Sequence, residues 1–145
     1  KAYIESYFEK YPRIRAYMDA VKAAARSDGY VSTLFGRRRY IPELQSKRKQ
    51  LEAFGERVAR NMPIQGTAAD IIKIAMIRVY ERLERENLAA KLIMQVHDEL
   101  IVEAPENEKE RVSALLKEEM ENAVKLSVAL TADVHSGRTW YDAKG

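Results

Sequence analysis

The stretch LIMQVHDELIVEA, Leu92 to Ala104, sets His97, Asp98 and Glu99 between two apolar runs. Runs of this length, rich in Ile, Val and Leu and bounded by polar residues, read as strands. Two strands with a short polar break make a hairpin, and Asp is among the common turn formers. The same geometry has a second use. A carboxylate at a hairpin tip is fixed by the backbone hydrogen bonds of both strands, and is therefore held out for chemistry. The neighbouring sequence decides between the two readings.

Downstream, Pro105 breaks the second strand. Asn107 to Val124 then reads as an acidic helix with Val112, Leu115, Leu116 and Met120 inside. SVALTADV, residues 127–134, alternates like a terminal strand and leads into HSGRTWYDAKG. Upstream, Leu51 to Asn87 has helical periodicity, with Pro63 and Gly66 as interruptions and Thr67 as N-cap of a helix whose buried face is Ala68, Ile71, Ile72, Ala75, Met76, Val79 and Leu83. YVSTLFGRRRYIP reads as another hairpin, Tyr30–Phe35 and a second strand to Ile41, turning at Gly36 and Arg37 and stopped by Pro42. Glu43 to Gln50 follows as a loop or helix start. The N-terminal stripe Tyr3, Ile4, Tyr7, Phe8, Tyr11, Ile14, Tyr17, Met18 and Val21 recurs at three- and four-residue spacing, an amphipathic helix facing a core. Pro12 either kinks it or opens a second helix, and Gly29 ends it. Helix, hairpin, helices, hairpin, helix, strand implies an antiparallel sheet covered by helices, an α+β fold. There are no repeats, low-complexity tracts or flexible linkers, so the chain reads as one segment.

The 145 residues are enough to bury a core, and 46% hydrophobic with 32% charged residues excludes a disordered chain. No apolar stretch of membrane-spanning length occurs, so no membrane partner is expected. The N-terminus is too charged for a signal peptide and does not begin with Met, which suits a piece cut from something longer. The absence of cysteine rules out disulfides and thiolate metal sites, and a cytoplasmic location fits. Charge is divided unevenly. Residues 1–60 hold 14 Lys and Arg against 7 Asp and Glu, whereas residues 61–145 hold 11 against 15, leaving the net +3. The basic excess is densest at Arg37, Arg38, Arg39, Lys47, Arg48, Lys49, Arg57 and Arg60, a block suited either to neutralising phosphate or to plain solvation.

The available chemistry is narrow. Cysteine catalysis is excluded, no GxSxG or HExxH occurs, and the two histidines lie 38 positions apart. The glycines are isolated, so no phosphate-cradling loop forms. What remains is hard-cation chemistry on oxygen ligands, for which a rigid hairpin-tip Asp98 suits Mg²⁺. Taken alone, HDE is better explained by an ordinary turn. Arg57, Asn61 and Gln65 recur every four residues and share one helix face if the helix runs through Pro63. Such a polar ladder fits either a nucleic-acid groove or an ordinary solvent face.

Together GYVSTLFGRRRYIPEL, ERVARNMPIQGTAADIIKIAM, LIMQVHDELIVEAP and TWYDAK resemble, in order and at nearly the same spacing, the C-terminal polymerase segment of the family A DNA polymerases, the bacterial DNA polymerase I type. The resemblance implies a partial polymerase domain: the end of the fingers helices at 1–29, then palm over 30–145, with a palm-type antiparallel sheet packed against several α-helices. QVHDEL resembles the family's motif C hairpin. Asp98 is then one of two metal-binding aspartates, Glu99 an accessory catalytic carboxylate, and His97 a neighbour of the primer terminus. Arg57, Asn61 and Gln65 match the helix touching the template–primer minor groove, and Arg37, Arg38 and Arg39 are expected to meet DNA phosphates or brace the sheet. Implied cofactors and partners are two Mg²⁺ ions, primer–template DNA, a deoxynucleoside triphosphate and the rest of the polymerase chain, with a cytoplasmic, nucleoid-associated location.

The departures from the family pattern carry weight too. The other metal-binding aspartate belongs to a motif of the type DYSQIELR, and neither it nor the nucleotide-gripping helix occurs in these residues. The implied function is DNA-directed DNA synthesis in replication or repair by the parent enzyme, with the isolated chain inactive. The alternatives are a non-catalytic DNA-binding module derived from such a polymerase, and a single-subunit RNA polymerase. Glu99 after HD and the QGTAADI stretch favour DNA synthesis over the latter.

Overall fold

The protein is described by a computed structural model covering residues 2–144. It forms two compact units, Lys1–Thr67 and Ala68–Gly145.

In the first unit, α1 (Ala2–Lys10) is followed by α2 (Pro12–Asp28). Pro12 opens α2 in the first turn, where its missing N–H satisfies nothing anyway. Gly29 closes α2 in the left-handed region at φ 75°, donating its N–H to the Ala25 carbonyl. The first hairpin pairs β1 (Tyr30–Ser32) with β2 (Arg38–Tyr40), Val31 opposite Arg39. A 3-10 turn over Pro42–Gln45 leads to α3 (Lys49–Arg85). Ala25, Val31, Ile41, Leu44 and Ala59 form the core, with Val21, Val58 and Met62 packed against it.

Two expectations fail here. The aromatic stripe of α1 and early α2 is largely uncovered: Tyr3 is 88% and Ile4 60% exposed. A stripe is buried only by a layer laid against it, and among the described residues α1 packs mainly on α2. Second, Pro63 and Gly66 do not interrupt the helix, and Thr67 is no N-cap. α3 runs for 37 residues straight through Pro63. Internal proline costs about 3 kcal/mol in an unsupported helix. Here Ala59, whose carbonyl loses its i+4 donor, and Met62 are both held in the core, so tertiary packing offsets the lost bond. Packing overrides propensity.

In the second unit, β3 (Lys91–Val96) pairs antiparallel with β4 (Glu99–Glu103), followed by α4 (Lys109–Glu121) and a short α5 (Trp140–Ala143). A one-residue bulge between Leu92 and Met94 shifts the register. Leu92, Leu100 and Val102 pack against the core of Val79, Leu83, Ala90, Val112 and Leu115. Gln95 is opposite Leu100, so it shares that face. Met94, Val96, Glu99 and Ile101 lie on the other. Glu108 accepts from the N–H groups of Ala89 and Ala90 at 3.0 Å each, clamping the start of β3. Most of the expected inward positions of α3 and α4 hold, but Ala68 is exposed.

An ion network ties α3 to α4. Arg111 grips Glu86 with two bonds of 2.6 Å, Arg82 Nε meets Glu86 at 2.9 Å, and Arg82 Nη1 reaches Glu118 and Glu119 at 2.8 Å. The Arg111 and Arg82 guanidiniums hold the Glu86 carboxyl down at about 2, and Glu86, Glu119 and Glu118 push Arg82 further up.

The α+β class stands, with antiparallel pairing in both hairpins as two two-stranded sheets. The expected strand over 127–134 does not form a ladder. Its alternation survives only from Leu130 on: Leu130, Ala132 and Val134 turn inward while Thr131, Asp133 and His135 are exposed, and Val128, on the same parity as the inward set, is exposed. Period two sets which side chains face inward, but a strand also needs a backbone partner. The Ala132 N–H goes instead to the Glu121 carboxylate at 3.1 Å.

Candidate active site

His97 and Asp98 are the whole of the turn between Val96 and Glu99, which are paired across the ladder. A two-residue hairpin link of this kind normally has Gly, Asn or Asp at its left-handed positions. His97 takes φ 52°, in the left-handed region, so a non-glycine residue carries strain at the tip. The Gln95 amide donates to the His97 carbonyl at 2.6 Å and braces the turn. His97 and Asp98 are exposed, whereas Glu99, the first residue of β4, is half-buried. Its Oε2 atom is buried without a hydrogen-bond partner among the described residues. Asp98 in the turn and Glu99 at the start of β4 are thus neighbours in sequence at one laddered end of the hairpin.

These two carboxylates fit a hard divalent cation, which takes oxygen donors and usually completes its shell with water and substrate phosphates. Among the described residues no group of three or more His, Cys, Asp or Glu side chains gathers as a fuller cage. One Glu99 oxygen, Oε2, is a buried acceptor whose hydrogen-bonding capacity is unused among the described residues.

The remaining predicted residues lie in the first unit. Because α3 is continuous, Arg57, Asn61 and Gln65 do share one exposed face. One turn on, the first hairpin is seated on the same helix. Leu34 N–H donates to the Thr67 hydroxyl at 2.9 Å, and a side chain at Gly66 would come within 2.7 Å of Thr33 Cγ2. The loop itself is closed by Thr33 N–H to the Arg37 carbonyl at 2.9 Å, and the Thr33 hydroxyl accepts from Arg37 N–H at 3.2 Å. Arg37, Arg38 and Arg39 are therefore carried beside the Gln65 end of the ladder, all exposed. Arg38 lies over the Tyr30 ring at 4.6 Å, on the same side as Tyr40, while Arg39 points to the opposite side. The three arginines are not equivalent.

Sequence reasoning missed Gln95 and Thr33. Gln95 had a signal, a lone amide between apolar residues on a strand. Thr33 had none, because its role depends on a helix 33 or more positions away.

Comparison with known proteins places this geometry. Residues 1–142 match DNA polymerase family A. The chain is 50% identical over 142 residues to DNA polymerase I of Caldicellulosiruptor bescii, covering 98% of this chain and 17% of that protein. It is 53% identical over 142 residues to DNA polymerase I of Bacillus caldotenax, covering 98% of this chain and 16% of that protein. Among solved structures, the POL domain of Pol1 from M. smegmatis, in complex with DNA primer-template and dNTP, superposes with a TM-score of 0.95 at 45% identity, over 98% of this chain and 25% of that one. The chain spans about a sixth of the curated relatives it matches. With nearly its whole length matched, the chain belongs to DNA polymerase family A.

Proposed function

We propose that this chain is the part of a template-directed DNA polymerase that presents the hairpin-borne metal-binding aspartate. The observation that carries the reading is the tip itself: Asp98 stands exposed on a strained two-residue turn, beside the half-buried Glu99, on a laddered hairpin. It is supported by the likeness to a polymerase domain solved with primer-template and dNTP. In the complete protein a primer 3′-hydroxyl oxygen bonds to the α-phosphorus of a deoxynucleotide, the bond to pyrophosphate breaks, and the hydroxyl proton is lost. Asp98 would hold a divalent cation, magnesium by its preference for oxygen donors, with Glu99 as accessory carboxylate. When bound, such a pair of ions activates the attacking oxygen and balances charge on the leaving phosphate.

The other residues bind and orient. His97 faces the primer terminus. Arg57, Asn61 and Gln65 read minor-groove acceptors common to all correct pairs, testing pair shape without choosing a base. Arg37, Arg38 and Arg39 meet backbone phosphates. Residues 1–29 end the fingers helices and 30–145 belong to the palm. Asp98 and Glu99 supply half of a metal site, so the isolated chain is inert and the complete protein active.

The test is primer extension by the complete protein bearing Asp98→Ala. The expected loss is at least about a thousandfold in rate, with primer-template affinity nearly unchanged. Normal extension by that variant would sink the reading.

A further inference from the structure

The C-terminal turn is built more firmly than its own packing requires. α5 buries no residue, with Trp140 41% and Tyr141 89% exposed. A four-residue helix without burial has almost no stability of its own. It is held by a reciprocal cap: Thr139 N–H donates to Asp142 Oδ2 at 3.1 Å and Asp142 N–H to Thr139 Oγ1 at 3.3 Å. The Thr139 hydroxyl also donates to Asp142 Oδ2 at 2.7 Å. The incoming chain crosses this turn so closely that a side chain at Gly137 would lie 2.6 Å from Asp142 Cβ and 2.7 Å from the Ala143 nitrogen. Only glycine permits the crossing.

The product of this construction is the placement of Lys144. Its ammonium lies 4.9 Å from the centre of the Trp140 ring, one helical turn back, and 4.0 Å from Glu99 Oε1. The other Glu99 oxygen is the buried, unpartnered Oε2. One oxygen is thus turned to a cation from the tail, and the other is buried without a hydrogen-bond partner among the described residues, so the lysine is the cation that meets this carboxylate.

We infer that Lys144 is a positioning residue: the capped GRTWYDAK turn holds its ammonium against Glu99 Oε1 and so fixes the orientation of the Glu99 carboxylate at the hairpin tip. Trp140 is the platform that keeps the lysine from swinging into solvent. Lys144 touches no substrate and acts through Glu99. The inference rests on the polymerase reading of the tip for its effect on turnover, although the geometry it asserts is independent of that reading.

The experiment uses the complete polymerase with Lys144→Met, which keeps the aliphatic stem and removes the charge, and Lys144→Arg, which restores the charge. Steady-state extension should show kcat falling about two- to fivefold in K144M, the range of an exposed ion pair, with KM for the deoxynucleotide unchanged. K144R should recover most of it. In a Glu99→Gln background K144M should change nothing further, because the partner is gone. A crystal structure of K144M should show the Glu99 side chain in more than one orientation. Unchanged kcat in K144M, the same loss in both backgrounds, or a Glu99 orientation identical to wild type would each overturn the inference. The two readings fail separately. Activity in the Asp98→Ala variant defeats the polymerase assignment and leaves the K144M crystal structure to decide Lys144. Silence of K144M beside a dead Asp98→Ala defeats Lys144 alone.

Discussion

The side-chain amide of Gln95 donates to the backbone carbonyl of His97 at 2.6 Å, tying strand β3 to the strained residue that begins the turn. An exposed strand residue therefore helps set the shape of the tip. Gln95→Ala removes the brace while leaving both carboxylates in place. One such hydrogen bond contributes about 0.5–1.5 kcal/mol, so kcat for extension should fall roughly three- to tenfold. Amide exchange at His97 to Glu99 should quicken in the same variant. Unaltered exchange would show that the ladder alone sets the tip.

Gly66 and Thr33 make a second coupled pair. An alanine methyl at 66 would stand 2.7 Å from Thr33 Cγ2, inside van der Waals contact. Thr33 is buried and its hydroxyl accepts from Phe35 and Arg37 N–H groups, so its methyl has nowhere to rotate. Helix propensity favours alanine by up to about 1 kcal/mol, and the overlap outweighs it. Gly66→Ala should destabilise the protein by about 1–3 kcal/mol in denaturant unfolding. Adding Thr33→Ser, which keeps the hydroxyl and deletes the methyl, should recover most of that loss. Additive losses in the double variant would place the strain elsewhere.

Acid should loosen the α3–α4 network at Glu86. Its carboxyl is held from the ordinary 4.5 down to about 2 by Arg111 and Arg82. A carboxyl whose folded value is depressed stabilises fully above its unfolded value and loses that stabilisation as pH falls through the folded one. Wild type should therefore exceed Glu86→Gln in Tm by a margin that is constant above pH 4.5 and shrinks towards pH 2. Thermal unfolding across that range measures it, and a pH-independent margin would contradict the assignment.

The arginine hairpin and the α3 ladder should separate by salt and by sequence. If Arg39 meets a backbone phosphate as proposed, replacing it with Gln should weaken primer-template binding on all sequences alike and reduce the slope of log affinity against log salt by about one. Replacing Gln65 with Ala should leave that slope nearly unchanged and instead reduce discrimination against mismatched primer ends. Binding titrations between about 50 and 200 mM salt distinguish the two.

Much of this protein was legible in one dimension. The two apolar runs flanking His97, Asp98 and Glu99 located β3, β4 and the turn, because a hairpin is a local structure whose pattern and turn lie together in sequence. Periodicity likewise placed Val112 and Leu115 inside α4, and the four-residue spacing of Arg57, Asn61 and Gln65 determined a shared face once the helix was continuous. Continuity was not legible. Pro63 and Gly66 read as breaks because intrinsic propensity is local, whereas the core that holds Ala59 and Met62 beside the proline, and the Thr33 methyl that leaves room only for glycine at 66, are brought to the helix by packing. The same holds for the tail, where alternation set the inward side of residues 130–134 and tertiary structure withheld the ladder. It holds for the α1 stripe too, since a pattern records which face seeks cover and only the assembled layers supply it. At the tip, sequence determined which carboxylates are presented. The Gln95 brace and the strain at His97 are local but depend on the turn's dihedral angles, which residue identity alone does not give, whereas the burial of one Glu99 oxygen and the approach of Lys144 to the other were decided by atoms distant in the chain.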